Sequence, residues 1–314
     1  MIKTSLRLFL MRTIARSFFI RYMKLLKRHK SIDEQIDKLI EHGLIIKDKE
    51  KVAVWLSNIN YYRFSGYLFG FKNRNKDGYE PDTTIEHIKE IYDFDRKFTR
   101  ILMYALEDVE LSLKTKLSYT LTKDNPDNPL IYLEPKIYNN ENDFDKFKDK
   151  FNKAVKNNRS LPFVKHHIVN YDGKLPMWVA VELFTMGNIH AIYDNLVAKY
   201  RKNLAKQYNT GPNQLSSWIE NLTYTRNHLA HYMRIYDFNF GRSPASCKKH
   251  YIPLEKTNKI FEQLCVISFM YSDKNEWNNY VLTEIEKLLN DYNGTVKLDK
   301  LGFPNNWHEL LTIL

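Results

Sequence analysis

TIEHIKEIYDFDRKFTRILMYALEDVELSLKTKLSYTLT, residues 84–122, decides the fold class. Its apolar side chains fall at Ile88, Ile91, Tyr92, Phe94, Phe98, Ile101, Leu102, Ala105, Leu106, Val109, Leu113 and Leu117. Spacings of three and four place them along one side of a helix. A strand would need alternation by two, and few windows anywhere in the chain show it. One uncapped helix of this length is unusual in a globular protein, so a break is expected near Asp93 to Asp95. The 314 residues include only 10 Gly and 10 Pro, and 43% hydrophobic with 14% aromatic content is enough for a packed core. The class is mainly α, a helical bundle.

Working outward toward the N-terminus, NRNKDGYEPDT (73–83) reads as a loop and a domain boundary. Before it, SIDEQIDKLIEHG (31–43) predicts a helix with Ser31 as cap, Glu34 closing a capping box and Gly43 as stop. A second helix is expected over about 48–58, and INYYRFSGYLFGF (59–71) is compatible with helix or strand. Toward the C-terminus, the Asn- and Lys-rich stretch 123–160 reads as an insertion with a short helix. LPMWVAVELFTMGNIHAIYDNL (175–196) predicts an apolar helix broken at Gly187 and continued amphipathically. Further helices are expected at 212–235, 254–272 and 275–292. The expected organisation is a basic arm (1–30), a small accessory domain (31–83) and a helical domain (84–314) with a polar insertion around 123–174.

The net charge of +11 is unevenly placed. Nine of the 48 Lys and Arg fall in residues 1–30 without one Asp or Glu, so the other 284 residues hold 39 basic against 37 acidic side chains. Bulk charge is therefore a poor argument for nucleic-acid binding by the folded body. The arm alternates cations and apolar residues in the manner of a basic amphipathic helix, and membrane contact by residues 1–22 is one use, though not the favoured one. Its apolar run Leu8–Met11 is far short of a membrane span, and Met23 is an alternative start. Two cysteines, Cys247 and Cys265, in no CxxC pairing and without an export signal, suggest a reduced, cytoplasmic protein.

TRNHLAHYMR (225–234) concentrates the chemistry: two Arg, two His and an Asn on one expected helix. Asn227 and His231 are i, i+4 neighbours, whereas Arg226 and His231 lie about 140° apart around the axis. Histidine transfers protons near neutral pH, and arginine offers a permanently charged fork to phosphoryl oxygens. Cleavage of RNA by its own 2′-hydroxyl needs those groups, without a metal. A polar helix face satisfied by its neighbours is the commoner use of such residues. His228 and His231 lack a following carboxylate at metalloprotease spacing, so no metal or other cofactor is expected. Tyr61, Tyr62 and Arg63 interleave aromatics with a cation, as base stacking and phosphate contact require, although aromatic clusters more often form core. Arg234, Lys248 and Lys249 are further candidate RNA contacts. Trp178 is expected in the core, and Glu182, set within WVAVELF, is expected to meet a cation such as Arg226 or Arg234.

The segment WIENLTYTRNHLAHYMRIYDFNF (218–240) resembles the motif region of the abortive-infection proteins of the AbiD/AbiF group, within the HEPN superfamily of helical ribonucleases. The HEPN motif is Arg, a polar residue, three variable positions and His; Arg226, Asn227 and His231 fill it in register. INYYRFSGYLFGF, FDRKFTRILMYALEDVELSLKTKLSYTL (94–121), LPMWVAVELFTMGNIHAIYDNL and LGFPNNWHELL are similar to blocks of that group in the same order. Relatives often carry RNxxAHHxRLWN; here Tyr232 replaces the second His, and Ile235-Tyr236-Asp237 replaces Leu-Trp-Asn.

The resemblance implies a HEPN-type bundle acting as a metal-independent endoribonuclease that inhibits growth on phage infection. Arg226 would stabilise the phosphorane, His231 transfer the proton and Asn227 position, in a cleft shared by a homodimer. It also implies that the long helix lies beside the motif helix, so that Glu110 tethers Arg226. The implied partners are an RNA substrate and a small regulatory or antitoxin RNA. The alternative is a non-catalytic module that holds such an RNA.

Overall fold

A computed structural model describes residues 28–73, 77–246 and 256–313. The basic arm up to residue 27, and Lys248 and Lys249, lie outside these residues. Among the described residues the chain is helical, with two isolated β-bridges and no strand. The described residues divide into two units, the first holding those up to Phe64 with those of Lys72–Thr83, the second Ser65–Phe71 with those from Thr84 onward.

In the first unit, α1 (Ile32–Glu41) and α2 (Lys49–Asn58) pack together, burying Ile36, Leu39, Val52 and Leu56. The capping box forms, with Glu34 N–H donating to Ser31 Oγ at 3.2 Å and Ser31 N–H to Glu34 Oε2 at 2.6 Å. Gly43 stops α1 with φ +85°. Replacing Ser31 by Ala is expected to lower stability by about 1 kcal/mol, read as a shift in the urea midpoint. Lys72 and Tyr79 form an antiparallel bridge beside Gly78, where at φ +138° a Cβ would stand 2.6 Å from the His42 carbonyl oxygen. α3 (Tyr61–Leu68) settles the ambiguity of 59–71 in favour of helix.

The second unit is built on α4 (Ile85–Thr122), a single helix of 38 residues. The break expected near Asp93 to Asp95 does not occur. Thr84 caps it by accepting from His87 N–H, and a buried stripe from Ile88 through Phe94, Asp95, Phe98 and Leu102 to Leu117 keeps it covered by neighbours along its length. Tertiary burial, about 1.5–3 kcal/mol for each large apolar side chain, outweighs the local preference for a break.

The insertion holds more structure than a short helix: α5 (Glu141–Asn157) and α6 (Pro162–Asn170). Phe144, Phe147 and Phe151 repeat at helical spacing on α5 and pack edge-on or tilted against Tyr132, Tyr138 and Phe184. α7 (Met177–Ala180) passes into a 3₁₀ turn, Val181–Leu183, and ends at Phe184. The break thus precedes Gly187, because Thr185 and Asn188 form a capping box that starts α8 (Met186–Asn195). α9 (Ala198–Lys206) and α10 (Pro212–Ala230) follow. α11 (Ile260–Met270) is buried almost all round, and α12 (Leu282–Asp291) is entered through a π-helical turn, Trp277–Val281. In that turn the fully buried Trp277 donates Nε1–H to the Leu311 carbonyl at 2.7 Å, tying in α13 (Trp307–Leu311). No helix of the described residues is long and apolar enough to cross a membrane.

Candidate functional site

The motif lies at the C-terminal end of α10. Leu215, Trp218, Ile219, Leu222 and Leu229 seat that helix in the core. The helix ends at Ala230, five residues before the expected end. His231 is its C-cap, with its N–H still on the Asn227 carbonyl at 3.0 Å. Tyr232 then takes the left-handed conformation, φ +56°, and Met233 N–H returns to the His228 carbonyl at 3.0 Å. This is the hydrogen-bonded reversal that glycine usually makes. A tyrosine there carries a conformational cost of about 1–2 kcal/mol, offset in part by Arg96 stacking over its ring at 4.9 Å.

Two side chains hold the reversed loop. His228 is buried and donates Nε2–H to the Arg234 carbonyl at 2.8 Å, its ring packed on Phe238 and Phe240. Burial pushes its pKa down, so the ring is neutral near pH 7. With that nitrogen committed to a carbonyl, His228 serves the loop's structure. The second clamp is Asp95, on the buried stripe of α4 and only 2% exposed. Its carboxylate accepts from Ile235 N–H at 2.7 Å, Tyr236 N–H at 2.9 Å and the Tyr67 hydroxyl at 2.9 Å.

Burial pushes the Asp95 carboxyl up to about 6, against those three donors and the charge of Arg234, which all favour ionisation. Its ordinary value is 3.8. A carboxyl raised in this way stabilises the fold fully below its unfolded value and loses that contribution as pH rises through the folded one. Wild type is therefore expected to lose roughly 2–3 kcal/mol relative to Asp95→Asn between about pH 4.5 and pH 7.5. Paired urea titrations at both pH values check this; a constant difference would refute it.

Arg226 is half-buried against α4. Its Nε lies 3.5 Å from Glu110 Oε2, and Lys114 Nζ lies 3.5 Å from Glu110 Oε1. One carboxylate therefore serves two cations. Arg226, Glu110 and Lys114, with Met103, Tyr104 and Leu111, line an open cavity of about 520 Å³. Asn227 and His231 are exposed and do not belong to that lining. The structure thus places Arg226 beside a cavity with its guanidinium oriented by Glu110, and leaves the imidazole on the surface.

The other candidates divide. Tyr62 and Arg63 are exposed in the first unit, while Tyr61 is half-buried. Arg234 lines a separate, smaller pocket. Glu182 is exposed and makes no ion pair among the described residues, and Trp178 is 56% exposed, so the expectations of a buried, paired Glu182 and a core Trp178 are both corrected. The 3₁₀ turn at Val181–Leu183 is the reason: it buries Val181 and turns Glu182 outward. Asp95 and His228 are the site-shaping residues that motif reading missed. Asp95 had a legible signal, a lone carboxylate at i+4 from Ile91 and i−3 from Phe98 on an apolar stripe.

An all-helical unit built on one long helix, with an Arg–Asn–His constellation closing a second, defines the class of this molecule. The chain belongs to the Abi-like protein family, an abortive-infection family, whose pattern matches residues 54–237. No curated protein and no solved structure matches it.

Proposed function

We propose that this Abi-like protein is a metal-independent endoribonuclease of the HEPN type, close to the AbiD/AbiF group, that inhibits growth on phage infection. The observation that supports this most is the arrangement at the end of α10: a guanidinium oriented by Glu110 and an unencumbered imidazole, five residues apart across a helix terminus. In the proposed reaction the ribose 2′-oxygen attacks the adjacent phosphorus and its proton passes to an imidazole. Arg226 stabilises the phosphorane oxygens, and the 5′-oxygen leaves with a proton, giving a 2′,3′-cyclic phosphate. One chain supplies one His231. A two-fold dimer would bring a second, so that one acts as base and the other as acid.

The test is incubation of the purified chain with labelled RNA in excess chelator, with the ends identified by mass spectrometry. Cyclic-phosphate ends are expected; cleavage that needs added Mg²⁺ would end the proposal. Exclusion of His231 from the cavity beside Arg226 favours a second reading, a module that holds a small RNA without cutting it. That reading expects saturable RNA binding with the RNA intact.

A further inference from the structure

We propose that the small pocket lined by Arg234 binds the phosphate end of a phosphate monoester such as a mononucleotide. The pocket belongs to the second unit and encloses about 170 Å³, well above the roughly 15 Å³ that admits one water. Its floor is built from the buried rings of Tyr67 and Tyr236, both held: the Tyr67 hydroxyl donates to Asp95, and the Tyr236 oxygen accepts from Lys297 N–H at 3.3 Å. The site is therefore a fixed recess and not a gap between loose side chains.

Its lining carries three cations, Arg234, Lys297 and Lys300, against one carboxylate, Asp237. That carboxylate is already shared, lying 3.0 Å from Lys259 Nζ and 3.6 Å from Lys300 Nζ. The Arg234 guanidinium and the Lys297 ammonium make no side-chain hydrogen bond or ion pair among the described residues. The nearby acids do not supply one. Asp95 acts on Arg234 through its charge, and its three hydrogen bonds come from Tyr67, Ile235 and Tyr236, none of them from Arg234. Glu90 accepts the Thr295 hydroxyl at 2.8 Å, and Asp299 is exposed.

An excess of positive charge in a recess of fixed walls, three cations to one lining carboxylate, is complementary to a compact anion. A guanidinium fork with two ammonium groups suits the several oxygens and near −2 charge of a phosphate monoester better than a monovalent carboxylate. On another wall, Phe71 and His87 meet edge to face at 5.5 Å, an apolar edge for the sugar or base that carries the phosphate. Because the Arg234 carbonyl is the acceptor for His228, an occupant would bear directly on the loop that follows the motif helix. The inference stands whether or not the Arg226 face cuts RNA.

Isothermal titration of the full chain tests it, with inorganic phosphate, adenosine monophosphate, adenosine, and a short RNA carrying either a 5′-phosphate or a 5′-hydroxyl. Saturable binding of the monophosphate but not of adenosine is expected, weakening with salt. Arg234→Gln and Lys297→Ala should each weaken it about tenfold or more. Lys297 is exposed, so its variant should melt as wild type does. His231→Ala should bind the monophosphate unchanged, which separates this site from the proposed nuclease. Tighter binding of the 5′-phosphorylated RNA would identify an RNA end as the source, and binding of the free nucleotide alone a soluble one; both outcomes support the pocket. Absence of saturable binding by every phosphate probe, equal binding of adenosine, or wild-type affinity in both pocket variants would overturn it.

Discussion

His231→Ala is expected to lower RNA cleavage, and with it growth inhibition, by about 10²- to 10⁴-fold, the usual contribution of a positioned proton donor or acceptor. The same variant should keep its melting behaviour. The His231 side chain is exposed and makes no hydrogen bond or ion pair among the described residues, so alanine removes no packing. Exposed substitutions of this kind usually change stability within about 0.5 kcal/mol. Affinity for uncut RNA should also survive, because Arg226 and Glu110 are untouched.

Arg226→Lys is the companion variant. It keeps the charge beside Glu110 but loses the planar fork, and should fall well below wild type in rate while still binding. Cleavage rates with end-labelled RNA in chelator, alongside filter-binding affinities, separate these outcomes. A His231→Ala protein that cuts at the wild-type rate would defeat the nuclease reading and leave the RNA-holding one.

The second large effect concerns stability. Asp95→Ala strips the acceptor from two backbone N–H groups and one tyrosine hydroxyl in a site 2% exposed. Removing one partner of a buried, charge-assisted network typically costs about 3–5 kcal/mol, since the remaining donors lose water without gaining a bond. Tyr67→Phe, which removes one donor and keeps the ring, should cost only about 1 kcal/mol. Urea unfolding of the three proteins near pH 7 measures both. If Asp95→Ala matched wild type, the loop after α10 would be anchored by something other than this carboxylate.

His231 and Asp95 differ in how far local sequence reaches them. Arg226, Asn227 and His231 are legible because local spacing and a family resemblance put them on one helix, and helix periodicity is a short-range property. The capping box of Ser31 and Glu34 is legible for the same reason. Asp95 can be placed on the apolar stripe from the same kind of window, but its role cannot be read there. An Asp in a helical stretch favours an end or a break, and only long-range packing overrides that preference. Its partners Ile235 and Tyr236 are about 140 residues away. Glu182 fails in the opposite direction: its apolar neighbours predict burial, and one 3₁₀ turn sends it to solvent.

The sequence by itself determined the helical class, the register of the apolar stripe on α4, and the residue types able to handle a phosphodiester. Each follows from side-chain period and chemistry, which act over a few residues. Only the tertiary structure decided that α4 runs unbroken, that α10 stops at Ala230, and that Glu110 reaches Arg226. It also decided that Arg234 turns to a recess of its own. Those outcomes depend on which distant surfaces meet, and burial free energy between segments outweighs the local preferences that single windows express.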